Sequence, residues 1–282
     1  MWPESTLRVT TRGQVILQHP SSRTVFDLNL DAWRLRCSDG AAAPSGAIAQ
    51  LHRDVVEPRL RPPLWVREVG RIERDGILSV YAYTFSEPDI ALPLVRVQSA
   101  TAARTGSIAV VAWPEGTAAL RTRWAEVTAM LGQADALLLF DPRGTGAGEQ
   151  RPINTYPVDA RYGTEFRLNY DAMMLGDSLL AMRTFDGLRA LEYAHRLAPR
   201  VAVVGEGTAG LCLLAASVLD GTVATGCFRS LPRAFADLVR ERLYCADIAL
   251  EVHGLTGWPE VSDMLAMLPA ARVTEWCEIR RP

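Results

Sequence analysis

The stretch VAVVGEGTAGLCLLAASVL, from Val201 to Leu219, decides the fold because it matches two different strand–turn–helix motifs. Gly205–Gly210 spells G-x-G-x-x-G after a buried strand, the pattern of a turn that holds the pyrophosphate of a dinucleotide. The same residues match G-x-S-x-G-G, the sharp turn that presents a nucleophilic serine, with Gly207 in the place of the serine. The surrounding sequence has to decide between the two.

The position of the turn in the chain favours the second motif. A dinucleotide-binding turn opens a domain made of two mononucleotide-binding halves, whereas only 72 residues follow Gly210. A serine-bearing turn needs small residues on both sides of the nucleophile, and Gly205 and Ala209 fill these positions. We therefore interpret the turn as an elbow whose nucleophile position is Gly207. Thr208 is one residue too late to replace the serine.

NADP binding at Gly205–Gly210 stays open as an alternative. The next predicted strand, Thr222–Phe228, is followed by Arg229. An arginine at the end of this strand is where the 2′-phosphate of NADP would be recognised.

The hydrophobic pattern outside the turn predicts an α/β fold. Two alternating strands flank Asp75-Gly76, a hairpin dipeptide, and buried strands then alternate with helices. This order predicts a mainly parallel sheet with antiparallel first strands and helices on both faces. The predicted strands are Leu64–Arg74, Ile77–Thr84, Leu92–Gln98, Ser107–Ala112, Ala136–Phe140, Val201–Gly205, Thr222–Phe228 and Arg272–Glu278. The predicted helices are Thr117–Leu131, Glu165–Leu197, Thr208–Leu219, Pro232–Leu243 and Val261–Leu268.

The first 63 residues differ in pattern from the rest. We predict a lead-in over residues 1–63 and an α/β domain over residues 64–282. Leu7–Gln18 alternates around Arg12-Gly13, which predicts a short hairpin. Two helices are predicted after it, over Leu28–Cys37 and Gly46–Glu57.

Composition excludes several classes of function. The net charge is −2 at pH 7, so neither nucleic acid nor a membrane is expected as a partner. The N-terminus has no basic-then-apolar leader, which predicts a cytoplasmic location. All 30 basic residues are arginine, so chemistry that needs a lysine is absent. The five cysteines and four histidines show no metal-ligand spacing, and we expect neither a metal nor a cofactor.

Three segments carry a resemblance to a known family. DPRGTGAGE (Asp141–Glu149) is similar to the segment after the fourth strand of α/β-hydrolases. LNYDAMMLGDSLLAMRTFDGLRALEYA (Leu168–Ala194) and SEPDIALP (Ser86–Pro93) resemble segments of bacterial acetyl xylan esterase-like hydrolases. The resemblance covers roughly Arg67 to Ile279. It implies an α/β-hydrolase fold and hydrolysis of acyl esters by a Ser-Asp/Glu-His triad without a metal.

The catalytic residues of this family do not transfer to the sequence. Gly207 occupies the nucleophile position. The acid should follow the strand near Arg272–Ile279, where Glu278 is a candidate that lies a residue or more from the expected place. The base should be a histidine on a loop after the eighth strand of the family's fold. After Arg272–Glu278 the sequence stops before such a strand can form, and His253 lies on a different loop. We therefore expect the fold to lack its eighth strand and the triad to be degenerate.

The sequence thus predicts a pseudo-hydrolase that binds a small acyl or carbohydrate ligand or partners an active hydrolase half. One alternative is an active carbohydrate or acyl esterase with a non-standard residue set. Another is a cofactor-free, non-hydrolytic enzyme with Glu206 or Asp141 as its base. The candidate ligand-cleft residues are Trp113, Glu115, Asp141, Arg143, Glu206, Gly207 and Thr208.

Each candidate also has a structural interpretation. Asp141 and Arg143 could form an internal ion pair that pins their loop, and Glu206 could be a solvated turn residue. The strand Arg272–Glu278 would be a sheet edge, and an edge can pair with a second copy or with an active hydrolase.

Overall fold

The structure is a computed structural model that describes residues 3–8, 10, 15–38, 44–101, 106–150, 163–241, 247–250 and 255–277. Its framework is one sheet of eight strands in the order β1-β2-β3-β5-β4-β6-β7-β8. The strands are β1 (Arg67–Arg74), β2 (Ile77–Glu87), β3 (Ile90–Ser99), β4 (Ser107–Ala112), β5 (Ala136–Phe140), β6 (Arg200–Glu206), β7 (Thr225–Pro232) and β8 (Arg272–Cys277).

The type of strand pairing changes once along the sheet, from antiparallel to parallel at β5. β1, β2, β3 and β5 pair antiparallel in succession, and β5, β4, β6, β7 and β8 pair parallel. β4 and β5 are almost fully buried, as expected for parallel strands covered on both faces. The predicted mainly parallel sheet with antiparallel first strands is confirmed.

Ten α-helices accompany the sheet in the described residues. They are α1 (Glu4–Leu7), α2 (Val15–Gln18), α3 (Val25–Ser38), α4 (Pro44–Val55), α5 (Trp124–Leu131), α6 (Thr164–Met174), α7 (Leu179–Leu197), α8 (Gly207–Asp220), α9 (Ala236–Arg240) and α10 (Val261–Met267). The helix predicted over Thr117–Leu131 is a 3₁₀ turn, Gly116–Arg121, followed by α5. The long helix predicted over Glu165–Leu197 is two helices, and Ser178 caps the second by accepting a hydrogen bond from the Ala181 N–H.

Helices cover both faces of the sheet, because successive strand residues point to opposite sides. Ile108 and Val110 of β4 belong to the larger core cluster, which is packed against α4, α7 and α8. Ala109 and Val111 belong to the smaller cluster, on the side of α5.

The hairpin predicted over Leu7–Gln18 is wrong in the described residues, because Glu4–Leu7 and Val15–Gln18 are helical. Arg12-Gly13 lies outside the described residues. Val15, Ile16 and Leu17 are three consecutive apolar residues, so this side of the proposed hairpin lacks the alternation that a strand needs.

The helices predicted for the lead-in are confirmed as α3 and α4. α4 is not peripheral, because Leu51 and Val55 are fully buried in the larger core cluster. Trp258 donates its indole N–H to Asp54 of α4 over 2.8 Å. The division into residues 1–63 and 64–282 therefore stays a prediction, and α4 shares the core of the α/β domain.

The two edges of the sheet are β1 and β8. The described residues form eight strands, with β1 at the antiparallel edge. The expected absence of the family's eighth strand concerns the edge after β8, and it stays a prediction. At the other edge, β8 ends the sheet within the described residues, and residues 278–282 lie outside them. Among the described helices, none has the length and the apolar character that crossing a bilayer requires.

Candidate functional site

The turn at the carboxyl end of β6 has the geometry of an elbow. β6 lies inside the sheet, between β4 and β7, and α8 starts at Gly207. Gly207 has φ of +58°, a conformation that costs other residues roughly 1–2 kcal/mol. A Cβ added at Gly205 would lie 2.5 Å from the Gly210 Cα. The close approach of α8 to β6 therefore explains Gly205 and Gly210, and the positive φ explains Gly207.

A cavity of about 340 Å³ lies above this turn. It brings together three of the sequence-predicted candidates, Glu206, Gly207 and Thr208. Trp113, Glu115, Asp141 and Arg143 do not line it. Polar residues that the sequence did not single out line it instead, among them Thr145, Glu165, Arg183, Ser230 and Asp247.

Glu206 is held by two arginines and is not a solvated turn residue. Its carboxylate accepts a hydrogen bond from Arg123 over 2.5 Å and also from Arg229. Burial raises the pKa of Glu206, but the two guanidinium groups outweigh this effect and hold the pKa below its usual value. Glu206 is thus a stabilised carboxylate, which is a poor general base.

Trp113 and Glu115 belong to the surroundings of Arg123. Trp113 is 1% exposed, and the Arg123 guanidinium lies 5.0 Å from the centre of its ring. Glu115 accepts a hydrogen bond from Arg123 over 2.7 Å. Both residues fix the arginine that in turn holds Glu206, and neither faces the cavity.

Asp141 fastens two loops to each other. Its carboxylate accepts hydrogen bonds from the Thr117 hydroxyl and the Ala147 N–H, each over 2.8 Å, and from the Thr117 N–H. Burial raises the pKa of Asp141, and these hydrogen bonds reduce the shift without cancelling it. The suggested pair with Arg143 is absent, because the carboxylate is already used by backbone and hydroxyl donors.

Arg143 instead neutralises the buried carboxylate of Asp186. Its Nη2 donates to Asp186 over 2.7 Å, and Asp186 has no exposed side-chain surface. Arg143 also contacts Glu87 over 2.6 Å. Burial lowers the pKa of Arg143, but the two carboxylates dominate and raise it above its usual value. Arg143 is therefore a structural cation that ties the loop after β5 to α7.

Two hydrogen-bonded pairs join polar side chains that line the cavity. Thr208 donates its hydroxyl to Asp247 over 2.5 Å, and Arg183 donates to Glu165. Ser230 lines the same cavity with φ of +56°, a conformation that is uncommon outside glycine.

No histidine lines the cavity in the part of the chain that the structure describes. His195 lies within hydrogen-bond distance of Asp220, the last residue of α8, over 3.1 Å, and His52 lies on α4. His253 and Glu278, the remaining candidates for a base and an acid, lie outside the described residues. Within those residues, no group of three or more histidine, cysteine and carboxylate side chains could hold a metal ion.

The cavity is poorly suited to the pyrophosphate of NADP. Glu165, Glu206 and Asp247 contribute three carboxylates to its lining, against one arginine, Arg183. Arg229, which was to recognise the 2′-phosphate, is already bound to Glu206.

The fold and the elbow define the class of protein: the chain has the α/β-hydrolase fold. Neither a protein-family model nor a curated protein sequence matches it, but solved structures do. It is similar to a proposed acetyl xylan esterase from Bacteroides fragilis, with a TM-score of 0.67, 11% identity, and coverage of 95% of this chain and 75% of that chain. An acetyl xylan esterase from Paenibacillus sp. R4 gives a TM-score of 0.56, 16% identity, and coverage of 90% and 79%.

Acetyl xylan esterase 1 from Thermoanaerobacterium sp. JW/SL YS485 gives a TM-score of 0.53, 14% identity, and coverage of 81% and 76%. At these identities the similarity shows the fold alone. The esterase-like α/β-hydrolase fold implied by the sequence is thereby confirmed.

Only weak local sequence signals indicate the site residues that were not among the sequence-predicted candidates. Ser230 lies near the carboxyl end of β7, at the edge of the sheet where sites of α/β folds lie, and this rule could have found it. Arg123 lies before α5 and reaches Glu206 across 83 positions. No sequence pattern indicates such a contact.

Proposed function

We propose that this protein is a non-hydrolytic member of the esterase-like α/β-hydrolases that binds a small neutral acyl or carbohydrate ligand in the cavity above Gly207. One observation carries the proposal: Gly207 keeps the backbone of the elbow, at the mouth of a cavity, without an oxygen to attack an ester. Covalent acyl transfer needs a nucleophile and a base that activates it.

Two of the three described carboxylates of the cavity, Glu206 and Glu165, are paired with arginine and are poorly placed to act as that base. Glu206 is shared by Arg123 and Arg229, Asp247 accepts from Thr208, and Glu165 accepts from Arg183. For Glu206, the two guanidinium groups hold the pKa below its usual value, which makes it a weak base. The pairing of Glu206 with two arginines speaks against a cofactor-free enzyme that uses Glu206 as its base. The burial of Asp141 between two loops speaks against such an enzyme with Asp141 as its base.

The lining of the cavity favours a neutral ligand. Pro114, Pro142, Leu238 and Leu250 form apolar walls, and Ser230 adds a hydroxyl group. An excess of carboxylates over arginines opposes an anion. The volume of about 340 Å³ falls in the range of small-molecule sites, roughly 300–1,000 Å³.

Turnover is tested with p-nitrophenyl acetate and a fluorophosphonate probe. We expect no rate above that of Gly207→Ala and no covalent labelling, because glycine offers no oxygen. Gly207→Ser should also stay inactive, since no described histidine lies in the cavity to take the proton. Labelling of the wild-type protein would refute the non-hydrolytic assignment.

Binding is tested by calorimetry with xylobiose and acetylated xylobiose. Ser230→Asn places a larger side chain in the cavity and so reduces the space for a ligand. Asparagine tolerates the left-handed conformation of this position. We expect it to weaken binding. The matched control is Asp75→Asn, at φ of +53° on the exposed β1–β2 turn. Unchanged binding in Ser230→Asn would place the ligand elsewhere.

An active esterase with a non-standard residue set is the second candidate. It is favoured by the 2.5 Å hydrogen bond from the Thr208 hydroxyl to Asp247, which pairs a potential nucleophile with a potential base. If this candidate holds, ester turnover exists in the wild type and is lost in Thr208→Val and in Asp247→Asn. Turnover that survives both changes excludes it.

NADP binding is the least supported candidate. Since Arg229 is occupied by Glu206 and the cavity is rich in carboxylates, we expect no NADP binding tighter than about 0.1 mM, a usual level for cofactor and substrate affinities. Equilibrium titration of NADP against NAD measures this. Binding of NADP below that level would restore the dinucleotide interpretation.

Partnering through β8 is also part of the proposal. β8 is an edge strand whose residues are exposed or half-buried, and such an edge can pair with a second copy or an active hydrolase. Light scattering after size exclusion should show an assembly that Thr274→Pro disrupts. A wild-type monomer that binds no hydrolase would contradict this part.

A further inference from the structure

A second cavity lies at the end of the sheet opposite the elbow. It has a volume of about 420 Å³, and Asp220, the last residue of α8, lines it. α8 starts at Gly207 and has 14 residues, so its two ends are about 20 Å apart at a rise of ~1.5 Å per residue. The second cavity is therefore separate from the site above Gly207.

Three arginines of this cavity share one carboxylate. Arg61 donates to Glu192 over 2.8 Å, Arg196 donates to it over 3.0 Å, and Arg189 also donates to it. The other lining carboxylate, Asp220, accepts hydrogen bonds from the Thr222 hydroxyl and contacts His195. Glu192 alone cannot balance three guanidinium groups.

The end of α7 compensates only part of this charge. Arg196 lies in the last turn of α7, where the helix dipole contributes roughly half a negative charge. With Asp220 counted, the described lining holds three guanidinium groups and two carboxylates, one positive group more than negative ones.

Arg189 lies deepest in the cluster. It is 1% exposed, and its buried Nε has no hydrogen-bond partner among the described residues. Burial lowers the pKa of Arg189, the repulsion of Arg61 and Arg196 adds to this, and Glu192 opposes it without restoring the usual value. A buried donor without a partner and an excess of like charge both cost free energy, and an added anion would reduce the electrostatic part of that cost.

Part of the cavity wall is apolar. Phe185, Leu188, Leu219 and Val56 line it beside the arginines. Guanidinium groups bind phosphate oxygens in a bidentate manner, and an apolar wall suits the organic part of a ligand. We propose that this cavity binds a small phosphate monoester, with its phosphate at Arg61, Arg189 and Arg196 and its apolar part against Phe185 and Leu188.

The test is calorimetric titration of the full chain with phenyl phosphate and with inorganic phosphate, at constant ionic strength set by sodium chloride. We expect phenyl phosphate to bind below about 1 mM and more tightly than inorganic phosphate. Equal affinities would overturn the role of the apolar wall. Absence of binding of both up to about 10 mM would overturn the site.

Variants locate the binding. Arg189 is avoided because its burial makes folding of a variant uncertain, whereas Arg61 and Arg196 are 58% and 52% exposed. Arg61→Gln combined with Arg196→Gln should weaken phenyl phosphate binding about tenfold or more, as expected from the loss of charge-assisted hydrogen bonds. The matched control is Arg71→Gln, which removes an equally exposed arginine paired with Glu68 on β1. Equal losses in the double variant and the control would refute the assignment.

Glu192→Gln gives a result of the opposite sign. The change removes the carboxylate that competes for the three arginines, so phenyl phosphate should bind more tightly than in the wild type. A folded Glu192→Gln protein with unchanged or weaker binding would overturn the proposal. If this variant does not fold, the Arg61 and Arg196 double variant decides the question.

Discussion

Gly205→Ala tests the explanation of the glycines in the elbow. The added Cβ would lie 2.5 Å from the Gly210 Cα and 3.0 Å from the Phe228 ring, whereas carbon atoms in contact prefer about 3.5–4.0 Å. The Gly210 Cα belongs to the backbone of α8, so a side-chain rotation cannot relieve the clash. Overpacking of this kind costs about 1–3 kcal/mol, and we expect the upper end, about 3 kcal/mol.

At roughly 2 °C per kcal/mol for a chain of this size, the melting temperature should fall by about 6 °C. Circular dichroism melts measure it. Gly148→Ala is the matched control, because a Cβ there meets nothing within 4 Å, and its melting temperature should change by about 1 °C at most. If Gly205→Ala melts within 2 °C of the wild type, roughly the effect of 1 kcal/mol, close packing is not the reason for the glycine.

Three further changes test the network around the site. The pKa of Glu206 is lowered in the folded state, so its stabilisation is present above its unfolded pKa of about 4.3 and is lost as pH falls through the folded value; the stability gap between wild type and Glu206→Gln should shrink below about pH 4 in urea titrations. Arg143→Gln leaves the buried Asp186 unpaired and should cost about 3–5 kcal/mol, which the same titrations measure; a loss under 1 kcal/mol contradicts it. Asp141→Asn should cost about 2 kcal/mol, because an amide has one acceptor oxygen for donors that now use two; a melting temperature equal to that of the wild type would contradict this role.

The fold was predictable because its signals are local. Ser107–Ala112 and Ala136–Phe140 are buried strands whose bounds the hydrophobic pattern predicts without error. Val201–Leu219 identifies the elbow because its small residues are required by contacts within one strand–turn–helix unit. The hairpin over Leu7–Gln18 failed because three consecutive apolar residues were forced into an alternating pattern.

The candidate site was less predictable because its side chains meet over long separations. Arg123 reaches Glu206, and Arg143 reaches Asp186, across 83 and 43 positions of the chain. The sequence shows that charged residues follow strands, but which arginine meets which carboxylate depends on the packing of loops. For this reason the suggested ion pair between Asp141 and Arg143 is wrong. Each residue has a structural role, but with a different partner.

The distribution of backbone strain supports binding over turnover. A serine at the elbow would have to adopt the φ of +58° that Gly207 has, at a cost of roughly 1–2 kcal/mol, and glycine avoids that cost. Ser230, in the same cavity, does adopt a positive φ, of +56°. Strained residues persist where the surrounding structure holds them, and they concentrate at functional sites. The strain that an esterase places at its nucleophile is thus absent at Gly207 and present at Ser230 of the same cavity, which agrees with the proposal that the cavity binds a ligand without attacking it.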